Sequence, residues 1–123
     1  MQSAQTQPHL KGYLYILIEN FSAPEIEAPL ACHVSLGQIA KCSTAAAPSG
    51  TSVNEVFLIE VPEDPSRLVF ELKEGENVIG DCRYDVNPFF NHPGAAHSIT
   101  SDIINNSSEV TGSINIKITY YSA

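Results

Sequence analysis

The sequence predicts an all-β fold, an eight-stranded antiparallel sandwich. Three observations predict it. Apolar residues recur with a period of two along most of the chain, clusters of Pro, Gly, Asn and Ser fall between those runs, and no stretch keeps a helical period over a conventional length. With 123 residues, 43% of them hydrophobic, the chain is long enough to bury a two-layer core.

The elements follow in order. Residues 1–11 are polar and read as a flexible lead-in, leaving 12–123 for the sandwich. Tyr13 to Glu19 places Leu14, Ile16 and Ile18 on one face and Tyr13, Tyr15 and Leu17 on the other. Leu30 to Leu36 alternates Leu30, Cys32, Val34 and Leu36 with small or polar residues, and Gly37 ends it. Ile39 to Thr44 is a weaker strand, followed by a loop through Pro48-Ser49-Gly50. Val53 to Val61 stops at Pro62, and Glu63-Asp64-Pro65-Ser66 has the composition of a turn. Leu68 to Leu72 and Val78 to Val86 are joined by a tight connection, Lys73 to Asn77. After Asn87-Pro88 comes a loop carrying Phe89, Phe90, His92, Pro93 and Gly94. Ile99 to Ile104 can be a strand, Asn105 to Ser108 turns, and Ile114, Ile116, Ile118 and Tyr120 alternate in the last strand. The alternation nominates a core of Leu14, Ile16, Ile18, Val34, Leu36, Phe57, Ile59, Leu68, Phe70, Leu72, Ile79, Ile114, Ile116 and Ile118. Ile79 and Leu72 lie in strands apolar on both faces, so the pattern leaves their side open.

Charge narrows the function. The net charge is −8, from 14 acidic against 6 basic residues. Lys11, Lys41, Arg67, Lys73, Arg83 and Lys117 are scattered singly, which disfavours nucleic acid and gives an anionic membrane no basic cluster to hold. No apolar run approaches the roughly 20 residues needed to span a bilayer, and the N-terminal residues lack the pattern of a secretory signal. The expectation is a cytoplasmic protein, associated with membrane or cytoskeleton through a partner. Cys32, Cys42 and Cys82 are an odd number with no CxxC, and read as reduced thiols. In that setting the sequons at Asn20, Asn105 and Asn106 stay unmodified.

Several segments, in order, resemble a C2 domain. The stretch Gly12 to Gly37 looks like the family's opening strand and loop, with Pro29 where the family commonly has a proline, although Ala28 and Leu30 flank it here. Leu68-Val69-Phe70-Glu71-Leu72 followed by Val78-Ile79-Gly80-Asp81 resembles its most recognisable strand pair, and Gly112 to Tyr120 its closing strand. The resemblance covers about residues 12–121. It implies the type II topology and is similar in outline to the calcium-independent C2 domains of novel protein kinases C.

The family's calcium cage uses converging aspartates in loops at one end of the sandwich. The matching loops here offer Glu25 and Glu27, and Glu74, Glu76 and Asn77. Ala28 stands where the family has Asp, and the second loop is short. The resemblance therefore implies loss of the usual cage. The five residues remain as an atypical set, against the plain alternative of solvated acidic turns. On the strands matching the family's phosphoinositide patch only His33 and Lys41 are found.

Phe89, Phe90 and His92 are either an aromatic anchor for a partner or a cap on the open end of the sandwich. His33, His92 and His97 could in principle pair with the cysteines, but no nucleophile motif, zinc-protease motif or phosphate loop occurs. No cofactor and no catalytic residue is expected. The functional expectation is a calcium-independent module that docks another protein, one carrying basic charge, with self-association open. Membrane targeting through an atypical calcium or phospholipid site is the alternative, and a small sandwich enzyme ranks last. An immunoglobulin-like sandwich is disfavoured by the absence of Trp.

Overall fold

A computed structural model describes residues 12–37, 40–62, 65 and 67–123. The lead-in, Ile39 and the turn residues Glu63, Asp64 and Ser66 lie outside the described residues. Among the described residues eight strands form: β1 (Gly12–Ser22), β2 (Ala31–Leu36), β3 (Ala40–Ser43), β4 (Ser52–Glu60), β5 (Arg67–Glu74), β6 (Asn77–Asp85), β7 (Ala96–Ile104) and β8 (Val110–Ser122). One helical turn, α1 (Asn87–Phe90), lies between β6 and β7. The Ile99–Ile104 segment is indeed a strand, and it begins before its apolar pattern does, at Ala96.

The strand order is β3-β2-β5-β6-β7-β8-β1-β4, with every pairing antiparallel. The order divides at β6 and β7, which meet at one paired position, Asp81 with Ile104. On either side of that joint lie two four-stranded layers, β3-β2-β5-β6 and β7-β8-β1-β4. Their inward faces make one core. Cys32, Val34, Leu36, Leu68, Phe70 and Leu72 come from the first layer, and Leu14, Ile16, Ile18, Ile114, Ile116 and Ile118 from the second. Removing each large aliphatic or aromatic side chain from water contributes about 1.5–3 kcal/mol, which sets the face each strand turns inward. At the far ends of the order, β3 and β4 approach each other and close the fold.

Two of the nominated core residues depart from expectation. Phe57 points inward opposite Ile16, but β4 is an edge strand and the ring is only half-buried. Ile79 lies on the opposite face of β6 from Gly80 and Cys82, so it is half-buried on the outside of its layer. The other nominated residues are buried, Leu72 among them. Phe21, Leu30, Cys32, Val86, Ile103 and Tyr120 belong to the core as well.

A bulge shapes the second layer. Between Ile18 and Asn20 the register of β1 shifts against both β4 and β8. Asn54 in β4 takes φ 49° there. The shift leaves Asn20 facing Asn115 on the outer surface. Asn115 Nδ2 donates to Asn20 Oδ1 at 2.7 Å, and Thr100 Oγ1 donates to Asn115 Oδ1 at 2.6 Å.

Candidate functional site

Four connections share one end of the sandwich: residues 23–30, 44–51, 75–76 and 105–109. The β5–β6 turn has Gly75 at φ 59°, the left-handed conformation that a two-residue hairpin loop requires. The β1–β2 and β3–β4 connections are tied together. Ser49 Oγ accepts from Ala23 N at 2.8 Å, and Leu30 and Ala47 exchange backbone hydrogen bonds. In the β7–β8 turn, Asn105 Oδ1 accepts from Ser107 N and Glu109 N. Glu25, Glu27, Glu76 and Asn77 are exposed and Glu74 is half-buried. Among the described residues, no three His, Cys, Asp or Glu side chains form a group that could hold a metal ion. Glu25 instead lies between a depression that contains Asp102 and a groove beside β6.

That groove, about 490 Å³, opens where β6 and β7 part beyond Asp81 and Ile104. Ile26, Val78, Ile79 and Ile104 give it an apolar lining, and Glu25, Asp81 and Arg83 are its charged groups. Arg83 Nη2 pairs with Asp81 Oδ2 at 3.2 Å. Gly80 lets the two strands touch at the joint, since a Cβ there would lie 2.8 Å from Ile104 O. Thr111 Oγ1 sits within 3.2 Å of Ile79 O and 3.3 Å of Ile103 O, bridging the strands as they separate.

The other end of the β6–β7 seam is filled. Phe89 and Phe90 are 4% and 6% exposed. Phe90 meets Tyr120 edge-on at 4.9 Å, and Phe89 meets His97 at 5.0 Å. Both rings are buried at this end of the sandwich, the arrangement of the cap that the sequence offered beside the aromatic anchor. His92 is exposed in the turn that follows. His97 Nε2 is buried without a hydrogen-bond partner among the described residues.

A third surface was legible only in part. On the outer face of the second layer, Tyr13 pairs with Tyr121, Tyr15 with Leu58, and Leu17 with Val56. These side chains form one continuous patch. Leu58 is 61% exposed, Tyr121 is 51% exposed, and Tyr15 and Tyr121 touch edge-on at 6.4 Å. Lys117, near Glu19 at 3.9 Å, lies beside Leu17 within this face, and Glu60 lies beside Tyr13. The sequence showed that β1 is apolar on both faces. It did not show that strands from the middle and the end of the chain would extend the outer one.

On the outer face of the first layer, His33 and Lys41 share a shallow depression with Glu71 and Lys73. Lys73 and Glu71 lie 3.7 Å apart, so much of the positive charge is offset there. The three cysteines are free. Burial, then the nearby Cys82, Cys42 and Glu71, push the Cys32 thiol strongly up. Burial pushes Cys42 up to about 11. Burial also raises Cys82, against hydrogen bonds with Ser101 and Tyr84 that lower it. Thiols so held are poor nucleophiles near neutral pH.

No protein-family model matches the chain, and no curated protein does. Solved structures do. A C2 domain of plant Extended Synaptotagmin 1 superposes with a TM-score of 0.77 at 13% identity, over 94% of this chain and 98% of that one. A C2 domain-containing protein from a putative elicitor-responsive gene gives 0.75 at 13% identity, over 98% and 96%. A structure of two C2 domains of Extended-Synaptotagmin 2 gives 0.71 at 14% identity, over 93% of this chain and 41% of that one.

Proposed function

Given that this chain is a β-sandwich with the C2 fold, we propose that it docks another protein, without calcium and with little affinity for anionic lipid. The observation that carries the reading is the outer face of β4, β1 and β8. A continuous patch of Tyr13, Tyr15, Leu17, Val56, Leu58 and Tyr121 costs solubility unless something covers it. Tyrosines with aliphatic neighbours suit a protein interface, where large rings bury area at low entropic cost. The occupant is a partner with an apolar centre and a basic rim. Glu60 borders the patch, Glu19 beside it is already paired with Lys117, and a net charge of −8 steers basic proteins in and repels a second copy.

The test compares baits. The wild-type domain and a Val56→Ser/Leu58→Ser variant are used to recover partners from the native source, with and without calcium. The same proteins are sedimented with phosphatidylserine and phosphoinositide vesicles. Partners retained by the wild type in chelator and lost with the variant support the reading. Strong vesicle binding with no variant-sensitive partner sinks it in favour of membrane targeting. A calcium-dependent rise in melting temperature abolished by Glu25→Gln with Glu74→Gln would sink the calcium-free part.

A further inference from the structure

We propose that the protein partner is held by strand addition: it lays an extended apolar segment antiparallel along the free edge of β4, with a basic side chain beside Glu60. The inference rests on the preceding reading for the partner's being a protein with an apolar centre and a basic rim. It goes beyond that reading in assigning the edge that is used and the backbone conformation of the occupant.

The main chain argues for a strand. β4 ends the strand order and has β1 as its one strand neighbour. Val61 N donates to Gly12 O at 3.0 Å, in register with the β1–β4 ladder, so Gly12 and Val61 are opposite members of a hydrogen-bonded pair. Counting back by twos, Ile59, Phe57 and Glu55 turn their backbone N–H and C=O groups to β1. Val56, Leu58 and Glu60 turn theirs outward. Among the described residues no hydrogen bond reaches those outward groups. β3 does not pair with β4 there. The two edges are linked where Ala45 N donates to Glu55 Oε2 at 2.9 Å, and a groove separates them alongside Phe57 to Glu60.

The side chains argue for the same occupant, because both faces of the edge lack cover. Phe57 faces inward opposite the buried Ile16 and is still only half-buried. Val56 and Leu58 face outward and are exposed. A partner resting on the outer face alone shelters Val56 and Leu58 and leaves Phe57 as it is; a strand beside β4 shelters both faces. Val56 to Ile59 also carries none of the lysines, prolines or inward charges that usually protect an edge. The groove that would take the inner side chains is about 370 Å³, with Phe57, Ile59, Cys42 and Pro62 in its lining and Lys41 and Glu60 as its charged groups. Lys41 disfavours a cation inside the groove, and Glu60 favours one outside it. The occupant is therefore apolar on its inner side, apolar or aromatic beside Val56 and Leu58, where it continues the tyrosine patch, and cationic beside Glu60.

The probe is a capped pentapeptide, Lys-Val-Tyr-Val-Thr, titrated into isotope-labelled full chain. Antiparallel to β4, its lysine meets Glu60, its tyrosine Leu58 and its threonine Val56. Saturable shifts are expected at Val56, Leu58, Glu60 and Cys42, with slower amide exchange at the first three. N-methylation of the tyrosine and threonine amides, which would face β4, should weaken binding about tenfold or more. N-methylation of the two valines, whose amides face away, should leave it within about twofold. Glu60→Gln should weaken it about threefold, and Glu60→Pro, which also removes an outward N–H, about tenfold. Saturable binding that tolerates both N-methyl patterns, with shifts confined to Tyr13, Tyr15 and Tyr121, overturns strand addition and leaves the outer-face reading standing. Absence of saturable binding overturns the proposal as well, and the bait comparison then decides the outer face by itself. Peptide binding along β4 beside a bait that recovers no variant-sensitive partner supports the edge and sinks the outer-face reading. Self-association of the chain that the peptide reverses makes a second copy the occupant and overturns the assignment to another protein.

Discussion

The two ends of the β6–β7 seam pose the same physical problem and meet it differently. At both ends two strands diverge from a single paired position, and the inner layer would be open to water. At one end the chain folds α1 into the gap, and Val86, Phe89 and Phe90 leave solvent almost entirely. At the other end Thr111 bridges the strands with one hydroxyl, and the groove outside it stays open with Val78 and Ile104 exposed. A filled end adds to stability, and an open end holds apolar surface available for something else.

The contrast breaks most sharply at Phe90. Phe90→Ala removes a ring packed on Tyr120 and should cost about 3 kcal/mol, with a melting point roughly 10 °C lower. Ile104→Ser and Val78→Ser at the open end should stay within about 0.5 kcal/mol. Urea unfolding of the three variants measures this directly, and equal losses at both ends would erase the distinction. Gly80→Ala tests the joint itself. Its Cβ would press on Ile104 O and Ile103 Cγ2, so we expect a loss of about 2 kcal/mol. Faster amide exchange at Asp81 and Ile104 should accompany it, with α1 unaffected.

A smaller effect concerns the thiols of the first layer. Burial raises the Cys42 thiol from an ordinary 9.0 to about 11 and raises Cys82 in the same direction. The unfolded chain therefore loses these protons first. Stability is fully present below pH 9 and declines as the pH rises from about 9 toward 11. Chemical denaturation at pH 8 and pH 10 checks the sign, and a Cys42→Ala/Cys82→Ala variant should lessen the decline, the part due to the more deeply buried Cys32 remaining. The smallest effect lies at the filled end. His97→Phe keeps the edge-on contact with Phe89 and removes a buried nitrogen without a hydrogen-bond partner among the described residues, so stability should rise by about 0.5–1 kcal/mol. Unchanged or lower stability would show that the nitrogen is satisfied by solvent.

Sequence alternation carried the fold well because the core is a local signal: Ile114, Ile116 and Ile118 announce their face within one short run. It failed where the edge of a layer decides burial, as at Phe57, and where both faces of a strand are apolar, as at Ile79. The candidate surfaces were harder to read because they are assembled across the chain. Ile26, Val78 and Ile104 meet in one groove although each belongs to a different strand or loop. Phe89 and Phe90 were visible as a pair, but no periodicity in a single helical turn tells which way its rings point. The glutamates carried their charge in the sequence; that Glu25 comes to line the groove beside β6 followed only from the path of the β1–β2 connection.

The chain of side-chain hydrogen bonds from Thr100 through Asn115 to Asn20 has a consequence for synthesis. Asn20 and Asn115 are separated by 95 residues, and β1 depends on β8 for one of its two neighbours. At roughly 5–20 residues per second, a ribosome presents β1 about 5–20 s before it presents the strand that completes it. During that interval Leu14, Ile16 and Ile18 are made but only half-sheltered by β4, and the nascent chain must be kept from aggregating. The amides of Asn20 and Asn115 then act as a registration mark. When β8 finally arrives, a slip by two residues would leave both amides without each other, so the late strand is selected for its alignment as well as its hydrophobicity.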